Sequence, residues 1–274
     1  MATFTTSDGL DLYYEDEGDG LPILCLPGLT RTTADFDYVS PHLAGNRVIK
    51  MDYRGRGQSA FDPSWANYTV QVEGRDVMEL LAHLGLRQTA ILGTSRGGMI
   101  ALGLAAVVKN ALLGVALNDI GPALDPKGID FIMVYLGRNP AAKTHAEAAA
   151  ALQHVFSDFK DVPPERWLRE AEKNYTQTAD GLQITYDPKL RDAVELGKDQ
   201  PLPDLWPFFD AMADLPLACI RGANSGLFTK ETLSEMQKRR PDMITAVVPD
   251  RGHVPFLDEP EAVAALHKWV EAMT

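Results

Sequence analysis

The spacing of apolar residues along this chain switches repeatedly between two patterns. Short runs of consecutive apolar residues alternate with longer stretches in which apolar residues recur every three or four positions. The first pattern is typical of strands covered on both faces, and the second is typical of amphipathic helices. The predicted strands are 21–26, 47–51, 89–92, 112–117, 216–221 and 243–248. The predicted helices are 70–84, 96–108, 229–239 and 259–273.

A hairpin precedes this alternating pattern. Strand-like residues lie on both sides of the turn-forming pair Asp8-Gly9, within residues 2–17. Strands that alternate with helices form parallel sheets with right-handed crossover connections. We therefore predict an α/β fold, with a mostly parallel central sheet flanked by helices.

The alternation stops after Asp119 and resumes only at the strand-like run that begins at residue 216. The intervening segment shows no convincing strand, and its loops are marked by Pro188, Pro201, Pro203 and Pro207. Its apolar spacing predicts helices at 141–156 and 164–175. We therefore expect a helical lid inserted between two halves of one sheet. The predicted units are a core of residues 1–120, a lid of residues 121–208 and a second core part of residues 209–274.

The composition and net charge disfavour some classes of binding partner. The chain has 274 residues, of which 45% are hydrophobic, and this is enough for one large domain with a sizeable core. Its formal net charge of −12 at pH 7 disfavours nucleic acid and anionic membrane surfaces as partners. We expect a small-molecule substrate and either a monomer or a homo-oligomer.

The cellular compartment is predicted from the N-terminus, the hydropathy and the cysteines. The first eleven residues are polar and alternating, unlike a signal peptide, and no apolar stretch reaches about 18 residues. Cys25 and Cys219 each lie inside an apolar run, which indicates buried free thiols rather than a disulfide. These features predict a cytoplasmic protein.

A glycine-rich turn between a predicted strand and a predicted helix carries the main chemical signal. Residues 93–98 read Gly-Thr-Ser-Arg-Gly-Gly, which is a G-x-S-x-G pattern centred on Ser95. Glycines on either side let the backbone pack closely around a strained turn that exposes the serine oxygen at the start of a helix. The pattern predicts Ser95 as a nucleophile.

Two further loops fit acyl-transfer chemistry. The backbone N–H groups of Leu29, after an early strand, and of Arg96, after the serine, are candidates to hold a developing oxyanion. His253 follows the last predicted strand, and an imidazole is the natural general base for a serine. The other histidines lie on predicted helices or their ends and are interpreted as surface or packing residues.

These motifs together resemble the α/β-hydrolase superfamily, in its lid-bearing esterase, lactonase and C–C hydrolase branch. The resemblance spans nearly the whole chain. It includes the serine turn, the D-x-R-G-x-G-x-S loop at 52–59, the Asn118-Asp119 strand end and the late Gly252-His253 pair. It implies an α/β-hydrolase fold and a triad in the order serine, acid, histidine, with no metal or organic cofactor.

The acid of the triad is the main departure from that family. In that family the acid normally follows the strand that corresponds to 216–221, where this chain has Gly226, although some relatives place it at the end of the previous strand. Three explanations are open. Asp119 supplies the acid from the end of the previous strand; or Asp119 is a structural residue in a weakened hydrolase or binding protein; or Asp250 reaches His253 from the same loop.

The predicted activity is hydrolysis of a carboxylic ester or lactone through an acyl-enzyme on Ser95, with His253 as the base and Asp119 as the orienting acid. The alternative, motivated by Gly226, is a weakened or inactive hydrolase-fold protein that binds a small apolar ligand. The guanidinium of Arg96 either binds a substrate carboxylate or has a structural or surface role. The apolar walls of the pocket are predicted from the lid and from the histidine loop, at Phe131, Met133, Tyr135, Phe156, Trp167, Trp206 and Val254.

Overall fold

The computed structural model describes residues 2–198 and 204–274, so the predicted loop prolines Pro201 and Pro203 lie outside the described residues. In the described part, the strands are Ala2–Thr5 (β1), Asp11–Glu17 (β2), Pro22–Leu26 (β3), Arg47–Met51 (β4), Thr89–Thr94 (β5), Leu112–Asn118 (β6), Tyr175–Thr178 (β7), Gly181–Ile184 (β8), Leu217–Gly222 (β9) and Ile244–Val248 (β10). The α-helices are Val70–His83 (α1), Arg96–Val108 (α2), Pro126–Tyr135 (α3), His145–Val155 (α4), Pro164–Asn174 (α5), Leu190–Lys198 (α6), Trp206–Asp210 (α7), Lys230–Arg239 (α8) and Pro260–Glu271 (α9).

Eight strands form one sheet in the order β1-β2-β4-β3-β5-β6-β9-β10. The hairpin strands pair antiparallel, β2 also pairs antiparallel with β4, and the remaining neighbours are parallel. Thr94 pairs with Asn118, and Asn118 pairs with Ile220, so the carboxyl ends of β5, β6 and β9 meet at one edge of the sheet. The predicted α/β fold and mostly parallel sheet are confirmed.

Helices cover both faces of the sheet because side chains on each inner strand alternate between two hydrophobic clusters. On β3, Leu24 and Leu26 belong to the cluster that includes residues of α1 and α2, whereas Ile23 and Cys25 face the cluster that includes α9. Both cysteines are free and buried, as predicted. Burial raises the pKa of the Cys25 thiol to about 12, so it stays protonated at neutral pH and is a poor nucleophile.

The segment between β6 and β9 departs from the prediction. It contains the antiparallel pair β7 and β8, so the expectation of a strand-free segment at 121–208 is wrong. These strands have four residues each and carry polar Thr and Gln side chains, so they lack the apolar alternation on which the prediction relied. Helices α3 and α6 were also not predicted. We call residues 126–198, from α3 to α6, the insert.

Helix α7 lies with the core rather than with the insert. Trp206 and Phe208 pack against the hydrophobic cluster that contains α2, and α7 contacts α2 directly. This packing separates residues 206–208 from the segment to which the sequence assigned them. No helix within residues 2–198 and 204–274 is long and apolar enough to cross a bilayer.

Candidate active site

Ser95 occupies a sharp turn between β5 and α2. Its backbone has φ 48° and ψ −108°, a conformation that is strained for a residue with a side chain. A Cβ added to Gly97 would lie 2.1 Å from the carbonyl oxygen of Leu26, and one added to Gly93 would lie 2.6 Å from the backbone of Gly97. Close backbone packing therefore explains both glycines of the G-x-S-x-G pattern and lifts Ser95 above the edge of the sheet.

The structure brings His253 to Ser95. His253 lies in the loop between β10 and α9, and its Nε2 is 3.0 Å from Ser95 Oγ. Its other ring nitrogen, Nδ1, is 2.7 Å from Asp119 Oδ2. With the Nδ1 proton donated to the carboxylate, Nε2 is free to accept the serine proton.

Asp119 follows β6 directly and is fully buried. Its Oδ1 accepts a hydrogen bond of 2.7 Å from the Gly222 N–H, and its Oδ2 accepts one of 2.5 Å from the Ser225 hydroxyl. Together with His253, these groups give the carboxylate three donors. A buried carboxylate is stable when it is paired in this way, so Asp119 is held with one oxygen toward the imidazole.

The two other sites considered for the acid lie elsewhere. Gly226 is exposed, and a Cβ built there would meet open space. Asp250 is also exposed, and its carbonyl oxygen accepts the N–H of Lys160. Within residues 2–198 and 204–274, the carboxylate that hydrogen-bonds to His253 is that of Asp119.

Ser225, Gly222 and Asn118 are site residues that the sequence did not reveal. The Ser225 hydroxyl donates to Asp119 and accepts from the Phe228 N–H at 3.2 Å. The Asn118 amide donates to Thr94 Oγ1 and to the Pro255 carbonyl, both at 3.2 Å, and so links the nucleophile strand to the histidine loop. Ser225 directly precedes Gly226, the position of the family's aspartate, and this adjacency was an available signal for it. Asn118 belongs to a strand end that resembles the family, but its bonding role was not predicted, because its partners are distant in sequence.

The candidate oxyanion donors lie on either side of Ser95. Leu29 is in the loop after β3, and this loop is tied to α2 by a 3.1 Å hydrogen bond from the Gly97 N–H to the Pro27 carbonyl. Across the part of the chain that the structure describes, no hydrogen bond uses the N–H of Leu29 or of Arg96. Leu29 also lines the cavity in which Ser95 lies. Both N–H groups are thus without a hydrogen-bond partner in the described part of the chain, as an oxyanion donor must be before substrate binds.

The Arg96 guanidinium is engaged below the site. Its Nε donates to Glu73 at 2.6 Å, and the same carboxylate pairs with Arg56 at 2.8 Å. Glu73 is fully buried; burial alone raises its pKa, but Arg56 and Arg96 together hold that pKa below its ordinary value. Of the two roles considered for the Arg96 side chain, these contacts favour the structural one over binding of a substrate carboxylate. A substrate carboxylate would have to displace a buried ion pair to reach the guanidinium.

The D-x-R-G-x-G-x-S loop at 52–59 is held in place by buried polar contacts. Asp52 accepts the backbone N–H groups of Thr33 at 2.7 Å and Gln58 at 2.9 Å, and burial raises its pKa to about 6. Arg54 is buried against Asp76 and Asp62. These contacts hold the loop after β4 against the segment that follows Leu29.

A cavity of about 390 Å³ opens above Ser95 and His253, between the sheet edge and the insert. Of the predicted walls, Tyr135, Phe156, Trp167 and Val254 line it. Phe131 does not line the cavity; its side chain is exposed, and its ring centroid lies 6.0 Å from that of Tyr135. The other two predicted walls lie in separate hydrophobic clusters, Met133 in the insert and Trp206 against α2. The predictions of Phe131, Met133 and Trp206 as walls are therefore corrected, since periodicity cannot tell which face of a helix meets a cavity.

Comparison with known proteins identifies the family of this chain. A model of the alpha/beta hydrolase family matches residues 23–266. The chain belongs to the alpha/beta hydrolase family. The 3-hydroxybutyrate-oligomer hydrolase of Cupriavidus necator is 36% identical to it over 265 residues, which cover 92% of this chain and 89% of the relative.

Two further comparisons agree with this assignment. The crystal structure of an alpha/beta hydrolase from Novosphingobium aromaticivorans superposes with a TM-score of 0.93 at 36% identity, covering 98% of this chain and 97% of the other. The 2-(acetamidomethylene)succinate hydrolase of Mesorhizobium japonicum is 23% identical over 265 residues, covering 96% of this chain and 92% of the relative. This α/β hydrolase thus has relatives of matching length that act as hydrolases.

Proposed function

We propose that this α/β hydrolase cleaves a carboxylic ester or lactone through an acyl-enzyme on Ser95. The observation that carries the proposal is the continuous chain of hydrogen bonds from Ser95 through His253 to the buried Asp119. A serine hydroxyl is a weak nucleophile alone and becomes an effective one when a positioned base removes its proton.

The proposed reaction has two halves. His253 Nε2 takes the proton of Ser95 as the serine oxygen attacks the substrate carbonyl, and the N–H groups of Leu29 and Arg96 stabilise the oxyanion. The imidazolium returns the proton to the departing alcohol oxygen, which leaves the acyl group on Ser95. Water then attacks the acyl-enzyme with His253 as base, and the carboxylic acid is released. Asp119 keeps the imidazole oriented and stabilises its charged form.

Two features support an ester substrate of modest size. The relative from Cupriavidus necator is named for hydrolysis of 3-hydroxybutyrate oligomers, whose units are joined by ester bonds. The cavity is of the size expected for a small organic ligand, and its walls are largely apolar or aromatic. We further propose that the insert acts as the lid, because it supplies much of that wall.

The alternative of a weakened hydrolase rested on the glycine at position 226. The contact between Asp119 and His253 favours the active enzyme over that alternative, because a carboxylate at the end of β6 can orient the imidazole without an aspartate at 226. The proposal therefore predicts a competent nucleophile rather than a passive ligand site.

Turnover of p-nitrophenyl butyrate tests this assignment. Ser95→Ala removes the nucleophile and is expected to abolish hydrolysis above the buffer rate. Ser157→Ala is a matched control, because Ser157 is an exposed serine of the insert, and it should leave the rate unchanged. Retained turnover in the Ser95→Ala protein would reject the proposal.

A further inference from the structure

Four charged side chains, apart from His253, line the cavity: Arg31, Asp35, Arg138 and Glu170. Three of them form one ion-paired cluster, in which a single guanidinium meets two carboxylates. Arg31 donates to both carboxylate oxygens of Asp35, at 2.8 and 2.9 Å, and forms an ion pair with Glu170. Within residues 2–198 and 204–274, Arg138 forms no ion pair. Arg138 is exposed at the cavity, and its guanidinium is free to pair with a ligand there.

The backbone on both sides of Arg138 is fixed. Gly137 has φ 72°, which favours glycine, and its N–H donates to the Tyr186 hydroxyl at 3.0 Å. The Asn139 side chain accepts the N–H of Ile184 at 3.1 Å. The Arg138 N–H itself donates to the Tyr135 carbonyl at 3.1 Å. The loop therefore presents an uncommitted arginine from a well-anchored position, which reduces the entropy lost when a ligand binds.

The other side chains that line the cavity indicate which chemical group Arg138 would bind. Ile132, Tyr135, Ile184 and Tyr186 line the same cavity and offer apolar or aromatic surface, with no carboxylate among them. A guanidinium matches a carboxylate with two parallel hydrogen bonds, and this pairing is stronger next to apolar surface than in open water. The protein as a whole carries a net charge of −12, which repels anions. Any attraction of a carboxylate must therefore come from Arg138 itself.

We propose that Arg138 binds a free carboxylate on the substrate, so that the enzyme prefers carboxylate-bearing esters to neutral ones. This inference rests on the proposed function, since it concerns the ester held at Ser95. It assigns Arg138 a role in specificity and not in the chemical steps.

Matched acid and amide substrates test whether the enzyme prefers an ester that carries a free carboxylate. 3-Butanoyloxybutanoate carries its carboxylate on the alcohol half, and monoethyl succinate carries it on the acyl half; the primary amide of each acid is a neutral analogue of nearly equal size. We expect kcat/KM to be about ten-fold higher for the acid than for the amide in at least one pair, mainly through KM. The pair that shows the preference identifies which half of the ester faces Arg138.

Three variants test whether Arg138 causes this preference. Arg138→Gln should bring the acid down to the level of its amide and leave the amide unchanged, and Arg138→Lys should retain part of the preference. Arg87→Gln is the control, because Arg87 is an exposed arginine just before β5, at the opposite end of that strand from Ser95. The inference is overturned if wild type shows no preference, or if Arg138→Gln preserves it.

A binding measurement tests the role of Arg138 independently of whether the protein hydrolyses esters. Calorimetry on the Ser95→Ala protein should show the preferred acid binding about ten-fold more tightly than its amide, and the added change Arg138→Gln should remove the difference. Equal binding of acid and amide would refute the role of Arg138 even if esters are cleaved. Preferential binding of the acid by a protein that cleaves no ester would refute the proposed function alone.

Discussion

At the scale of single residues, backbone pairing explains how Asp119 reaches His253 from the end of β6. Asn118 pairs with Ile220 across the sheet, and the Asp119 N–H donates to the Ile220 carbonyl at 2.7 Å. The carboxylate therefore leans over the end of β9, where Gly222 and Ser225 donate to it. The loop after β9 therefore carries donors that hold a carboxylate from the neighbouring strand.

Paired substitutions test this relocation. Asp119→Asn keeps the shape of the side chain but removes the charge and reverses the preferred tautomer of His253, so kcat should fall by about 10³- to 10⁴-fold. Gly226→Asp places a carboxylate on an exposed loop that points into open space, and it should leave kcat within about two-fold of wild type. A large gain from Gly226→Asp, with little loss from Asp119→Asn, would mean that the chain lacks a working acid and that Asp119 is structural.

At the scale of elements, the strand–turn–helix unit of β5 and α2 supports the nucleophile through close backbone contact. Two glycines of α2 differ sharply in their surroundings. Gly97 abuts the Leu26 carbonyl, whereas a Cβ on Gly103 would have no neighbour within 4 Å. The helix therefore needs glycine at one position for packing and tolerates other residues at the second.

Alanine substitutions at these two positions should change stability in opposite directions. Gly97→Ala forces the strand end of β3 and the start of α2 apart, and should lower the free energy of unfolding by about 3 kcal/mol or more. Gly103→Ala adds helix propensity without a clash and should raise it by about 0.5–1 kcal/mol. Urea denaturation of both variants measures the difference, and equal effects would contradict the packing account.

Sequence patterns predict well those elements whose burial follows a simple rule. Arg47–Met51 and Arg96–Val108 match their predicted bounds, because one is a fully covered strand and the other begins at a recognisable turn. The β7–β8 hairpin was missed because its strands are short and polar. The choice among Asp119, position 226 and Asp250 stayed open in the sequence, since it depends on which loops meet above the sheet.

At the scale of the whole molecule, charged contacts fasten the insert around the catalytic loops. Arg31 lies in the loop after β3. It donates to the Asn174 side chain at 2.5 Å and pairs with Glu170, and both of these partners lie on α5. On the other side, Arg251 donates to the Lys160 carbonyl at 2.9 Å. Core and insert are thus joined on both sides of the cavity, which ties its shape to the integrity of these pairs.

Loss of Arg31 should weaken this attachment. Arg31→Met leaves Asp35 and Glu170 without their shared cation, and both carboxylates are largely buried, with side-chain exposures of 12% and 7%. An uncompensated buried charge of this kind costs about 3 kcal/mol of unfolding free energy. Lys238→Met, which removes an exposed ion pair with Glu235, is the control and should cost less than about 1 kcal/mol. Urea denaturation that shows equal losses would mean that the Arg31 pairs do not fasten the insert.

The rate at which a fluorophosphonate labels Ser95, followed by peptide mass spectrometry, tests the central claim most directly, because the reagent reacts quickly only with a serine activated by its base. The account predicts rapid labelling confined to Ser95 in the wild-type protein, and labelling at least about 100-fold slower in Asp119→Asn. Wild-type labelling as slow as that of the variant, or label on another residue, would contradict a working relay from Ser95 through His253 to Asp119.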